Sequence, residues 1–173
     1  MKRKSKAYLR PKHLYEKERI QEENLLAKKY GLKNKTEIWK SIAQVSYFRR
    51  RAKALVKESY EEQKAFFEKL SSLGFKVNKI VDVLALRVED LLERRLSTIV
   101  VKKKIATTPK QARQMITHKR ILIDGKAINV PSYIVSVHEE GKIQLRTREK
   151  KLKAEVKTEN EIPEQTPAQE AHE

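Results

Sequence analysis

Apolar residues recur at helical spacing through the first part of the chain and alternate in strand fashion only near its end, which predicts a helical half followed by a mixed one. Ile20, Leu25 and Leu26 mark a helix over Glu16 to Tyr30, and Gly31 suits its C-terminal cap. Asn34 and Glu37 have the spacing of a capping pair. Beyond them Ile38, Ile42, Val45, Ala52, Leu55 and Val56 roughly follow the 3.6-residue period of a longer helix. Phe66, Phe67 and Leu70 place a third helix over Tyr60 to Leu73, stopped near Gly74. Val77 to Leu86 is mostly apolar, with Asp82 positioned to cap a short helical turn, and reads as the seam between two domains.

From Arg87 a further helix directs Val88, Leu91, Leu92, Leu96 and Ile99 toward a core and leaves Arg95, Thr98 and Lys102 on a shared outer stripe. The next helix has the clearest start in the chain. Thr108 is a good N-cap, Pro109 suits the first helical position, and Gln111 can reach back to the cap. Ala112, Met115 and Ile116 form its buried face; Lys110, Arg113, Gln114 and Thr117 lie opposite, followed by His118, Lys119 and Arg120. Ile121 to Ile123 then meets Asp124-Gly125, a pair suited to a two-residue hairpin turn, and Ile128 and Val130 return the strand. Tyr133 to Val137 and Ile143 to Leu145 read as further strands joined at Gly141, with Tyr133 packed. The expected fold is α+β: a helical N-terminal domain, then a small domain of two to three helices and a short antiparallel sheet.

Charge turns this outline into a statement about partners. Forty lysines and arginines oppose 23 aspartates and glutamates, a net +17 on 173 residues, and such a charge repels itself unless a polyanion compensates it. The basic residues are spread over several helices, which favours nucleic acid over a membrane surface. No apolar run is long enough to span a bilayer, and no export signal is read in the basic start. With no cysteine, and four histidines lacking ligand-like spacing, neither a metal nor a cofactor is called for. Arg49, Arg50, Arg51 and Lys53 have few acidic partners within a turn, so they are read as phosphate contacts. The basic faces lack clustered aromatics for base stacking, and Trp39 is read as packing, so shape and phosphate recognition of folded RNA is the expected mode.

Three segments carry a resemblance: Val88-Glu-Asp-Leu-Leu-Glu-Arg-Arg-Leu96, Thr108-Pro-Lys-Gln-Ala-Arg-Gln114 and Val130-Pro-Ser-Tyr133. In this order they resemble the small-subunit ribosomal protein S-four family. Tyr30-Gly-Leu-Lys-Asn-Lys35 followed by Glu37-Ile-Trp39 is similar to its archaeal type, so the likeness spans residues 5–148. The module alone resembles domains of pseudouridine synthases, some tRNA synthetases and a ribosome-rescue heat-shock protein, and the helical half favours the ribosomal family. The resemblance implies a non-enzymatic protein of the cytoplasmic ribosome that binds the 5′ domain of small-subunit rRNA at a helix junction early in assembly. It further implies a neighbouring protein S-five, mRNA nearby and an influence on decoding accuracy. It maps an RNA face onto Arg95, Thr108, Lys110, Arg113, Gln114, Thr117, His118 and Lys119; Thr98, Lys102 and the Arg49 to Lys53 cluster are added from the pattern of charge. Alternatives are a stand-alone binder of stalled ribosomes and the module of an RNA-modifying enzyme, which would need a catalytic domain.

Two departures from the family pattern predict local differences. Arg87 stands where many relatives carry Thr or Ser, which allows its helix to begin earlier, near Asp82; Lys119 replaces a frequent glycine, so no positive φ is expected there. The expected organisation is a basic arm over 1–12, a helical rRNA-binding domain over 13–86, an S-four-type domain over 87–148 and an acidic disordered tail over 149–173. From Thr158 onward the tail holds five glutamates and no lysine or arginine, so the rest of the chain is more basic than the total indicates.

Overall fold

The computed structural model describes residues 7, 8 and 10–146. Most of the expected basic arm and all of the expected acidic tail lie outside these residues. Helix α1 (Lys17–Tyr30) ends at Gly31, whose φ of 62° is the left-handed cap that glycine adopts without a steric cost. Its buried residues are Glu23 and Tyr30, whereas Leu25 is 69% exposed, so the apolar stripe expected through Leu25 does not form the contact. A polar seam replaces it. The Glu23 carboxylate accepts hydrogen bonds from Arg19 at 2.6 Å and from Trp39 Nε1 at 2.9 Å, with Lys35 at 3.5 Å.

Helix α2 (Lys35–Leu55) buries Ile38, Ser41, Val45, Phe48, Ala52 and Leu55, an alternation of three and four that keeps one stripe against the core. Ile42 and Val56, expected on this stripe, are exposed, because Ser41 and Leu55 occupy the seam one position away. Asn34 makes no side-chain cap, and Glu37 turns elsewhere. Helix α3 (Tyr60–Ser72) packs Leu70 fully and Phe66 and Phe67 partly. Helix α4 (Ile80–Ala85) carries Asp82 at its third position and not at its cap. There the carboxylate accepts the amides of Asn78 and Lys79 at 3.0 and 2.9 Å. The first core joins Val45, Phe48, Ala52, Leu70, Phe75, Val77, Val83 and Leu86 to Leu91 of the next helix.

That next helix is shorter than expected at both ends. Leu86 and Arg87 are extended, so α5 (Val88–Glu93) does not run back to Asp82; Asp90 accepts the Arg87 amide at 2.7 Å and satisfies the helix start without a threonine. The single helix expected from Arg87 onward breaks at Arg94 and Arg95, and α6 (Leu96–Lys102) follows. Arg95 is extended at φ −70° and ψ 144° and bridges Ile134, while the Leu96 amide donates to the Tyr133 carbonyl at 2.8 Å. The break gives both arginines inward anchors: Arg94 donates to Glu140 at 2.8 Å and to the Val135 carbonyl at 2.9 Å, and Arg95 reaches Glu37.

Helix α7 (Pro109–Thr117) starts at Thr108, whose hydroxyl accepts the Gln111 amide at 3.2 Å. The Gln111 side chain binds back to Thr107 and not to Thr108. Strands β1 (Ile121–Ile123), β2 (Lys126–Ala127) and β3 (Ile143–Leu145) form an antiparallel sheet of order β2-β1-β3. Asp124 and Gly125 have φ of 52° and 75° between the paired Ile123 and Lys126. The return strand ends at Ala127, short of Ile128 and Val130. Tyr133 to Val137 is not a strand beyond the single bridge at Ile134. Ser136 and Glu139 form a reciprocal capping box that opens α8 (Val137–Glu140), which overrides the apolar alternation. A second core gathers Leu96, Ile99, Val100, Ala106, Ala112, Ile116, Ile121, Ile123, Val135 and Ile143, with Met115 and Tyr133 packed partly against it.

Candidate nucleic-acid interface

The two halves meet around one carboxylate. Glu37, on the first turn of α2, receives Arg95 at 2.7 Å on one oxygen and Arg113 of α7 at 2.8 and 3.1 Å on both. Burial pushes the Glu37 carboxyl up. The hydrogen bonds and charges of Arg113 and Arg95 outweigh that effect and hold it below the usual carboxylate range. Arg95 is only 4% exposed, so it does not share an outer stripe with Thr98 and Lys102. Thr98 donates its hydroxyl to the Leu92 carbonyl at 2.8 Å, and Lys102 pairs with Glu93 at 2.9 Å. Arg113 is also turned inward toward Glu37 and is only partly exposed.

A second contact sets the spacing between α1 and α7. A Cβ added at Gly31 would lie 2.8 Å from Pro109 Cβ and 3.0 Å from Pro109 C, so the end of α1 sits directly on the start of α7. Only a glycine allows that approach without a shift.

These anchors sort the basic residues. Arg49 donates to the Leu86 carbonyl at 2.6 Å, and Arg51 lies 3.4 Å from Glu58, so two of the three consecutive arginines have partners within the fold. Arg50 and Lys53 are exposed and have no carboxylate within reach among the described residues. On α7 the Thr108 hydroxyl serves the cap, and Thr117 donates to the carbonyls of Arg113 and Gln114 at 2.7 and 3.0 Å. Lys110, Gln114, His118 and Lys119 point outward. Lys119 has φ 55°, so the left-handed turn is kept despite the side chain, against the expectation from its non-glycine identity. Arg50, Lys53, Lys110, Gln114, His118 and Lys119 are therefore the members of the expected set most open to a polyanion.

The S4 domain family matches residues 94–140, beginning at the break between α5 and α6. The small ribosomal subunit protein uS4 of Methanococcus aeolicus is 44% identical over 148 residues, covering 82% of this chain and 84% of that protein. The uS4 protein of Methanothermobacter thermautotrophicus is 46% identical over 146 residues, covering 80% and 84%, and that of Thermoplasma volcanium 42% over 147 residues, covering 80% and 74%. The chain belongs to the uS4 family.

In this uS4 chain the residues missed in the sequence lie along α2. A groove of about 1130 Å³ runs between α2 and the S4 domain. Lys40, Gln44, Tyr47 and Arg50 line its α2 side, Pro131 and Ser132 line the opposite lip, and the Glu37 ion cluster borders it. The spacing of Lys40, Tyr47 and Arg50 was the available signal: extending the helical period outward from Arg50 finds them. Glu37 had no such signal, since its partners lie 58 and 76 positions away. Among the described residues no group of three or more His, Asp or Glu side chains is arranged to hold a metal, and no helix is long and apolar enough to cross a membrane.

Proposed function

We propose that this chain acts as a structural constituent of the small ribosomal subunit and binds its rRNA through the outward cations of α2 and α7. It is an RNA-binding assembly protein and not an enzyme. The observation that carries the reading is membership of the uS4 family, at 44% identity over most of both chains for one relative. The arrangement supports it physically. Arg50 and Lys53 stand on one rigid helix, Lys110 and Lys119 on or just after another, and Glu37 bonds α2 to both Arg95 and Arg113. Cations on two elements of fixed spacing can bridge phosphates of different RNA strands and release counterions on binding.

The finer reading is that the RNA is a helix junction in the 5′ domain of the small-subunit rRNA, bound early so that the body of the subunit assembles around it. Protein S-five then lies alongside and mRNA passes nearby, which gives the protein its influence on decoding accuracy, in the cytoplasm. Hydroxyl-radical footprinting on small-subunit rRNA tests this. Protection concentrated at a 5′-domain junction is expected, and protection elsewhere would refute the assignment. Retention at one copy per salt-washed small subunit is expected of a constituent, whereas loss in the wash would favour a stand-alone binder of stalled ribosomes.

A further inference from the structure

We propose that the groove between α2 and the S4 domain holds a single unstacked RNA nucleotide, its base lying on the ring of Tyr47 and its phosphate on Arg50. This rests on the rRNA-binding reading and names a subsite within it. Tyr47 is 56% exposed although it borders the groove, and its ring centroid lies 6.0 Å from that of the buried Phe48. The ring thus meets Phe48 at a tilt of 57° and leaves more than half of the residue's surface open. An aromatic ring placed in this way is a sequence-tolerant platform for a base.

The electrostatics select the occupant. The Glu37 carboxylate beside the groove is taken up by Arg95 and Arg113, leaving the cations Lys40 and Arg50 on the α2 side without a carboxylate partner among the described residues. Tyr47 and Arg50 are three positions apart on one helix face, about 4.5 Å along its axis. A base on the ring therefore brings its own phosphate toward the guanidinium. Ile42, 43% exposed, and the half-buried Pro131 and Ile134 supply apolar lining suited to a base and poorly suited to a duplex backbone. An acidic peptide would satisfy the cations, yet it would leave the open ring without a stacking partner, so a nucleotide is the occupant the site matches.

The test measures binding of the full chain to a 5′-domain transcript of small-subunit rRNA across a salt series, together with chemical probing of unpaired bases. Tyr47→Ala should weaken binding about tenfold, the scale of one lost base stack, with an unchanged salt slope. Tyr47→Phe should bind like the parent, because it keeps the aromatic face on which the base lies. Arg50→Gln should lower the salt slope by roughly one unit. A base protected by the parent protein should become reactive with Tyr47→Ala. Parent-like affinity and protection in Tyr47→Ala would overturn the subsite while leaving the rRNA-binding reading in place. The same result with weaker retention on subunits already carrying their other proteins would assign the groove to a polypeptide. Failure of the parent protein to bind the transcript would overturn both readings.

Discussion

Replacing Glu37 tests the arrangement most directly, since one carboxylate holds two guanidinium groups from separate elements of the S4 domain. The Arg95 side chain is 5% exposed and that of Glu37 16%, so Glu37→Ala leaves a buried charge without its partner. Breaking a buried pair in this way costs about 3–5 kcal/mol. Glu37→Gln keeps an acceptor for one guanidinium and should regain about 1.5–3 kcal/mol of that loss, the contribution of a hydrogen bond to a charged group. Arg113→Gln leaves Arg95 paired, and its side chain is 25% exposed, so its cost should be nearer 1 kcal/mol. The dependence on pH follows from the lowered carboxyl of Glu37. A depressed folded-state pKa contributes stability that is present above the unfolded value of about 4.3 and is lost as pH falls through the lower folded value. Urea unfolding at neutral pH should therefore rank the proteins parent, Arg113→Gln, Glu37→Gln, Glu37→Ala, and the gap between parent and Glu37→Gln should narrow as pH drops below about 4.3. A Glu37→Gln midpoint equal to that of the parent at neutral pH, or a gap that does not change with pH, would refute the reasoning.

Gly31→Ala should destabilise by about 1–2 kcal/mol from the left-handed backbone alone, and by more from the contact with Pro109; an unchanged thermal midpoint would show that α1 and α7 are free to separate. Lys119→Gly should relieve a left-handed lysine and raise the midpoint while reducing the salt slope of RNA binding by roughly one unit, and a loss of stability would contradict the role given to its φ of 55°. Ile116→Ala, at a fully buried position, should cost about 2–5 kcal/mol, and Met115→Ala less because that side chain is only partly enclosed; equal costs in denaturant melts would count against this difference in burial.

What could be read from the chain alone was whatever rests on neighbours in sequence. Thr108, Pro109 and Gly31 mark helix ends by local chemistry, and each marks an end in the structure. The break at Arg94 and Arg95 was hidden because Val88 to Lys102 carries an unbroken helical period; tertiary partners at Glu37, Glu140 and Val135 interrupt it. Tyr133 to Val137 differs in the opposite direction, since its apolar alternation suggests a strand while the Ser136 and Glu139 box, also local in the sequence, opens a helix there. Exposure of a basic residue was the least legible property. Arg95 and Arg50 look alike in sequence, yet one is buried against a carboxylate and the other lines a groove.

The position of Glu37 also bears on the order in which the chain can mature during synthesis. Its carboxylate leaves the peptidyl-transfer site long before Arg95 and Arg113, which follow 58 and 76 residues later. Until Arg95 has emerged, the first turn of α2 has neither of its S4-domain partners, and until α7 begins the end of α1 has no Pro109 to rest on. Closure of the early helices against the later domain thus waits on distant, late-made sequence, which ties up loop entropy and slows the step. The surface that spans both halves comes into register only when α7 has been made, so a nascent chain halted before that point would expose isolated cations in place of a matched pair of helices.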